Sequence, residues 1–320
     1  MKHKSNVFFS FFMLLSLSVF AQKPDTLLKK LDSLSKKADT VKQENIISPE
    51  AYAHAKIDVP TYFILLGSNL KQQVTGPFNT SKKSWVKVGA FAVMTGALAF
   101  ADVPIQRQAI RWRNNSATIR DVSGFVTDFG GLYEGYTLAS LAAYGFLFKN
   151  EKLKNTTFLA TQSYITGAVV MVLVKNLTGR QRPNYYGTDS IAAKATFHGP
   201  FSKVAKEYNG NRVGSSFPSG HATVAFAAAT VFAMEYKDKP WVPIFAYSVA
   251  SLIGLSRITE NKHWATDVLV GAGLGYLSGR QVVNNYHRYA KLKAPNQKGR
   301  VSFNLQYNFG RLMPGVVYRL

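Results

Sequence analysis

Six uncharged, largely apolar runs, rich in alanine, glycine and other small residues, constrain the fold of this chain more than any other feature. They span residues 88–101, 135–148, 155–174, 222–234, 240–256 and 268–279. Small residues let helix backbones approach closely, so the runs predict tightly packed helices. Only one run reaches the roughly 20 apolar residues that a bilayer crossing needs. We therefore predict an all-α fold, a compact bundle of about six core helices that either lipid or protein buries.

The flanks of this core predict separate units. Residues 1–21 fit a cleaved signal peptide, because two lysines precede an apolar stretch and Ala21 closes a small-residue cleavage site; an uncleaved anchor is the alternative. Residues 22–84 predict a polar lead-in with short helices, and residues 85–285 the core domain. Residues 286–320 form a basic tail whose alternating apolar and polar residues predict a short C-terminal β-hairpin packed on that domain.

The charge of the chain indicates an anionic partner. Its 39 Lys and Arg against 17 Asp and Glu give a formal charge of +22, which suits an anionic membrane surface, a phosphorylated substrate or nucleic acid. Nucleic acid fits worst, because the basic residues are scattered among apolar runs rather than gathered in a stripe. The chain has no cysteine, which excludes disulfides, thiolate metal sites and a cysteine nucleophile.

His263 and Asp267 form the first candidate pair. They are four residues apart at the start of a helical run, so we expect both side chains on one helix face. A carboxylate in that position accepts the N–H of one imidazole nitrogen and leaves the other nitrogen nucleophilic. Taken alone, the pair is better explained by an aspartate that caps a helix.

The sequence Pro218-Ser219-Gly220-His221 opens the apolar run 222–234. Proline and serine favour a helix start, and glycine lets the backbone approach a ligand. The free N–H groups of a helix start bind anions, phosphate in particular. His221 would then protonate a leaving oxygen, whereas an ordinary capped helix with a surface histidine is the alternative.

Three cations lie at the ends of apolar runs. Lys175 follows the run 155–174, and Arg182 comes seven residues later, which predicts one face of a helix that Pro183 ends. Arg257 ends the run 240–256. Together with helix-start amides they would neutralise the three equatorial oxygens of a phosphoryl group. Singly, each is explained by a side chain that reaches water from a helix end.

In order, these segments read K-x6-RP, PSGH and SR-x5-H-x3-D. This order resembles the three-part signature of the type 2 phosphatidic acid phosphatase (PAP2) superfamily, over about residues 85–285, and every position is filled. The signature residues are Lys175, Arg182, Pro183, the segment from Pro218 to His221, Ser256, Arg257, His263 and Asp267.

The resemblance implies a role for each residue. His263 is expected to be the nucleophile that forms a phosphohistidine, Asp267 to orient it, and His221 to be the general acid. The implied phosphate-binding residues are Lys175, Arg182, Ser219, Gly220 and Arg257. The family needs no metal or cofactor. It implies two-step hydrolysis of a phosphomonoester or diphosphate, with a phosphorylated lipid or a small phosphoester as substrate; nothing indicates the oligomeric state.

Other classes of protein compete with this interpretation. Vanadium haloperoxidases share the site, but nothing here favours peroxide chemistry. A zinc hydrolase built from the two site histidines, Asp267 and His198 lacks the usual ligand spacing. A non-catalytic membrane protein would be expected to have lost a signature residue. A soluble, non-specific periplasmic acid phosphatase stays open, since most runs are short and the mean hydropathy is −0.05.

The order of the motifs also predicts where the site faces. Its four pieces fall at alternating ends of consecutive runs, so antiparallel helices bring them to one side. Lysines concentrate at the opposite ends, which places the site outside the cytoplasm. An exported N-terminus followed by six crossings would reverse this orientation, so the two signals conflict unless a further crossing exists or the helices do not span. We expect export to the bacterial cell envelope and membrane association with a periplasm-facing site, or a soluble periplasmic enzyme.

Overall fold

The computed structural model describes residues 56–187, 189–200 and 215–293, together with the backbone of residues 300–308 and 311–319. The described part is mostly helical, which confirms the predicted all-α class. Its α-helices are α1 (Val59–Thr75), α2 (Lys82–Ala99), α3 (Asp102–Asn115), α4 (Ala117–Asp128), α5 (Leu132–Leu147), α6 (Glu151–Thr178), α7 (Gly220–Glu235), α8 (Trp241–Thr259) and α9 (Ala265–Lys293). The predicted signal peptide lies outside the described residues.

Each of the six apolar runs falls largely within one helix, α2 or α5 through α9, and in all of these except α9 it makes up most of the helix. The described residues add α1, α3 and α4, so the count of six covers only the most apolar helices. The helix α9 also continues to Lys293, well past the predicted end of its run at residue 279. It continues because Tyr286 and Ala290 are buried in the core, so the first part of the basic tail is helical rather than irregular.

The centre of the fold is α7, which packs against α6, α8 and α9. Three glycines spaced four residues apart on α9 form the contact with α7: Gly271, Gly275 and Gly279. A Cβ atom at Gly275 would lie 2.2 Å from the carbonyl oxygen of Thr223. A side chain does not fit there, so the two helix backbones touch directly along this glycine seam. The seam fixes how the start of α7 sits beside the start of α9.

The helix α1 differs from the predicted polar lead-in, because it is long and partly buried. Leu65 is fully buried in the main core cluster. Amide side chains fix its other contacts: Asn69 donates to Gln162 of α6 over 2.8 Å and accepts from Asn285 of α9 over 2.9 Å. Residues 59–75 therefore belong to the helical core.

Much of the outer surface is apolar. The helix α2 has no buried residue, and Val86 and Val93 are more than two-thirds exposed. On α8, Ile244 and Phe245 are more than three-fifths exposed. Two helices of the described part, α6 and α8, are long and apolar enough to cross a membrane, and the pair α2–α3, bent by 59°, adds a third if it counts as one span.

The chain ends in two strands, β1 (Arg300–Asn308) and β2 (Arg311–Arg319). They pair antiparallel, with Arg300 opposite Arg319. Only their backbone is described, so the predicted packing of a hairpin on the helical domain stays a prediction.

Candidate active site

The first part of the site lies at the end of α6. This helix ends at Thr178, and its cap Gly179 adopts a left-handed conformation with φ of 55°, which glycine tolerates. The prediction that Lys175 and Arg182 share one helix face up to Pro183 is therefore wrong, because the chain turns at Gly179. Lys175 Nζ still reaches across to donate to the carbonyl oxygen of Ser215 over 2.6 Å, which ties α6 to the segment before α7.

The start of α7 lies where the sequence predicts it. Ser219 is the N-cap, its hydroxyl accepting from the N–H of Ala222, and the helix begins at Gly220. The N–H of Ser219 donates to the carbonyl oxygen of Asp267 over 2.9 Å, which joins this start to that of α9. His221 packs against the α4–α5 turn, where a Cβ atom on Gly131 would lie 3.4 Å from its Nε2.

His263 lies in the short turn between α8 and α9. The backbone N–H of His263 donates to the carbonyl oxygen of Arg257 at the end of α8 over 3.1 Å. Because α9 begins only at Ala265, the two residues of the pair do not share a helix face as predicted. Asp267, in the first turn of α9, nevertheless reaches back, and its Oδ2 is 3.4 Å from His263 Nδ1.

Both members of this pair are buried, His263 being 2% exposed and Asp267 0%. Asp267 Oδ2 accepts hydrogen bonds from the Ser216 hydroxyl and, over 2.8 Å, from the N–H of Trp264. With the carboxylate facing Nδ1, the favoured neutral tautomer carries its proton there, which we assign from geometry. The lone pair of the imidazole ring then lies on Nε2.

The charges of three nearby cations lower the pKa values of both histidines. Burial and the charges of Arg257, Arg182 and Lys175 lower the pKa of His221 to about 3. Burial, followed by the same cations, holds the pKa of His263 well below its ordinary value. Charge repulsion from nearby cations favours the neutral imidazole. Both histidines are therefore neutral at pH 7 before an anion enters.

The structure brings the eight predicted residues together at adjoining ends of α6, α7, α8 and α9. Lys175 is joined to the segment before α7, Ser219 to Asp267, and His263 to Arg257. The guanidinium of Arg257 also donates to the Thr127 hydroxyl of α4 over 2.5 Å. Within the described ranges, no group of three His, Cys, Asp or Glu side chains is placed to hold a metal ion.

Two charged residues of the site were missed by the sequence analysis. Arg180 donates from Nη1 to Asp267 Oδ1 over 2.5 Å and from Nη2 to Asp102 Oδ2 over 2.6 Å. All three side chains are buried. Arg180 stands inside the first motif, but the assumed helix placed it on another face from Lys175. No sequence pattern links Asp102 to the motifs.

An apolar cavity of about 780 Å³ lies between α1, α5 and α6. Lys56 and Lys154 line it, but none of the eight predicted site residues does. The cluster of histidines and cations is therefore a separate feature from this cavity.

The site thus belongs to an all-α domain in which four helix ends bring a histidine–aspartate pair beside three cations. Residues 156–290 match the family model described as the PAP2 superfamily, and this segment includes all eight predicted residues. The segment that carries the site is therefore similar to the PAP2 superfamily, the family that its motifs resemble.

Two curated relatives illustrate the match. Lipid A 1-phosphatase of Porphyromonas gingivalis is 53% identical over 66 residues, 20% of this chain and 15% of that protein. Lipid phosphate phosphatase 1 of Arabidopsis thaliana is 32% identical over 165 residues, 42% of this chain and 48% of that protein. The chain thus spans less than half the length of either.

Among solved structures, the PAP2-type phosphatidylglycerolphosphate phosphatase of Bacillus subtilis aligns with 22% identity and a TM-score of 0.44. The alignment covers 64% of this chain and 94% of that one. The score is too low to support a conclusion about this chain.

Proposed function

We propose that this protein is a phosphatase that hydrolyses a phosphomonoester or diphosphate of a lipid through a phosphohistidine at His263. The observation that carries the proposal is the buried pair of His263 and Asp267, whose geometry leaves Nε2 as the nucleophile beside three cations. The family match of residues 156–290 and the names of the curated relatives support the same reaction class.

In the first step, His263 Nε2 attacks phosphorus and the bond from phosphorus to the ester oxygen breaks. His221, which takes up a proton when the phosphate dianion binds and offsets the three cations, gives that proton to the ester oxygen, which leaves as an alcohol or as a phosphate monoester. In the second step, water attacks phosphorus, its proton passes to His221, and the bond from phosphorus to Nε2 of His263 breaks. Inorganic phosphate leaves, and both histidines return to their starting states.

The cations and the start of α7 would stabilise the transferring phosphoryl group. Lys175, Arg182 and Arg257 provide three positive charges, and Ser219 and Gly220 present the free N–H groups of a helix start. Fixed donors of this kind stabilise charge on equatorial oxygens without reorganisation during the reaction. Asp267 would hold the imidazole and balance the positive charge that develops on it.

A lipid substrate is favoured by the apolar exterior. Exposed apolar side chains on α2 and α8, together with the two helices that could cross a membrane, suit contact with lipid. We infer that the apolar middle parts of α2 and α5 through α9 are embedded in the membrane, and that the helix ends that carry the site, including the start of α7, lie at its surface. The site would face the periplasm, because lysines concentrate at the other helix ends. A soluble periplasmic acid phosphatase and a vanadium haloperoxidase are the alternatives.

Purified in detergent, the full-length protein is expected to release inorganic phosphate from lipid phosphates and lipid diphosphates. The rate should be unchanged in EDTA, because the proposed chemistry uses only side chains. The measurement is phosphate release from phosphatidate, a phosphatidylglycerophosphate, undecaprenyl diphosphate and a lipid A phosphate, with p-nitrophenyl phosphate as the soluble comparison. Faster turnover of the soluble ester than of every lipid would favour the non-specific phosphatase, and loss of activity in EDTA would refute the proposed chemistry.

The pH dependence of kcat/KM should differ from that of kcat, because the first reports on the free enzyme and the second on the enzyme–substrate complex. In the free protein, burial and three cations lower the pKa of His221 to about 3, so its acid form becomes scarcer as pH rises. A bound phosphate dianion offsets the cations and raises the pKa of His221. We expect the alkaline limb of kcat to lie at higher pH than that of kcat/KM. The His221→Asn variant is the control, since a limb that persists in it belongs to the substrate; coinciding limbs in the native protein would contradict the assignment.

A further inference from the structure

Arg180 is a buried guanidinium held between two buried carboxylates. Its two terminal nitrogens donate to Asp267 and to Asp102 over 2.5 and 2.6 Å. Nη1 also contacts the Thr266 hydroxyl at 2.6 Å. The guanidinium carbon lies 4.8 Å from the ring centre of Phe197 and 5.4 Å from that of Trp264. Ion pairs and aromatic faces thus fix Arg180 in one position.

Asp102 reaches this group from outside the matched domain. It is the first residue of α3 and is 0% exposed, and it lies 54 positions before the match begins at residue 156. Its Oδ1 accepts from the N–H of Thr266 over 2.9 Å, and its Oδ2 accepts from the Thr266 hydroxyl over 2.5 Å. Asp102 therefore binds the first turn of α9 and Arg180 together.

The division of contacts on Asp267 shows what this arrangement does. Oδ1 accepts from Arg180, whereas Oδ2 faces His263 and also accepts from the Ser216 hydroxyl and the Trp264 N–H. A carboxylate held at one oxygen cannot rotate freely, so its second oxygen stays directed at Nδ1. The group carries two negative charges and one positive charge. Without Asp102, the guanidinium would neutralise Asp267 alone, and less negative charge would remain to support the imidazole.

We propose that Arg180 and Asp102 are positioning residues that fix the orientation and the charge of Asp267, and through it the tautomer of His263. This inference rests on the proposed function, in which His263 is the nucleophile. It adds a residue of α3, outside the three motifs, to the control of the reaction. Arginine suits the position because its planar fork binds two carboxylates at once, which a lysine ammonium does not reproduce.

The test uses the full-length protein in detergent, labelled with ¹⁵N-histidine. The chain has six histidines, so ring signals can be assigned by substitution. In the native protein, His263 is expected to carry its proton on Nδ1 only. In Arg180→Lys and in Asp102→Asn, it is expected to become a mixture of tautomers. The matched control is Arg288→Lys, which changes a buried arginine bonded to Gln72 at the far end of α9 and should leave His263 unchanged.

Kinetics supply the second readout. With an active lipid substrate, kcat should fall about tenfold to a hundredfold in Arg180→Lys, as for other outer partners of a functional histidine, with KM within about twofold. Asp102→Asn should lower kcat less. The double variant Arg180→Gln with Asp102→Asn removes both charges of this pair, so its loss of kcat should be smaller than the product of the losses in the single variants Arg180→Gln and Asp102→Asn.

The outcomes separate this inference from the proposed function. An unchanged His263 tautomer in both single variants overturns the positioning role, whether or not the native protein hydrolyses lipid phosphates. Lower thermal stability with unchanged tautomer and kcat likewise overturns it, because a purely structural ion pair would behave so. A shifted tautomer supports the positioning role even where the native protein releases no phosphate, a result that would refute only the proposed function.

Discussion

Replacing His263 with alanine is expected to abolish phosphate release, by about a thousandfold or more, because no other group in the site would form the covalent intermediate. Rapid quenching of the native protein with ³²P-labelled lipid substrate should trap an acid-labile, base-stable label, carried on the peptide that contains residue 263. The His263→Ala protein should carry none. An exposed histidine outside the predicted set, His198, gives the matched control, and His198→Ala should retain both label and activity.

His221→Asn should behave differently, because a general acid matters most where the leaving group is a poor one. The variant should lose far more activity towards a lipid monoester than towards p-nitrophenyl phosphate, whose leaving group needs little protonation. His263→Ala should be inactive towards both. If His221→Asn lost activity equally towards the two substrates, His221 would be assigned to substrate binding rather than to proton transfer. Label that persists in His263→Ala would place the nucleophile elsewhere.

The helical elements of this fold could be predicted because the apolar runs carry no charge and are bounded by charged residues. What could not be predicted is how much lies outside those runs. Residues 59–75 show a mixed pattern of apolar and polar residues, yet the polar Ser68 and Asn69 are both buried. Their hydrogen bonds to other helices satisfy them, and such partners are far away in sequence.

The site shows the same limit in detail. The order of the motifs correctly predicts that the cations and histidines lie together on one side of the domain, because consecutive antiparallel helices place alternate ends on the same side. The helix spacing argument failed twice, at Gly179, which turns the chain before Arg182, and at His263, which precedes its helix. Asp102 could not have been found, because its contact with Thr266 spans 164 positions and depends on how α3 packs beside the start of α9.

Gly275→Ala is expected to lower the stability and the activity of the protein together. The added Cβ atom would lie 2.2 Å from a backbone oxygen and 2.8 Å from the backbone nitrogen of Ala227. Backbone atoms of a buried helix cannot rotate away as a side chain does, so α7 and α9 must separate. Overpacking of this kind costs about 3 kcal/mol. We expect a clear fall in the thermal midpoint, measured by circular dichroism in detergent.

Activity should fall because the same seam aligns the two helix starts that carry the site. Separation of α7 from α9 lengthens the contact between the Ser219 N–H and the Asp267 carbonyl oxygen, which moves His221 relative to His263. The matched control is Gly124→Ala in α4, where an added Cβ atom meets no atom within 4 Å. Gly124→Ala should leave the stability of the protein unchanged or raise it by up to ~1 kcal/mol, because alanine loses less conformational entropy in a helix than glycine does. A Gly275→Ala protein that melts and turns over like Gly124→Ala would show that the seam does not set the geometry of the site.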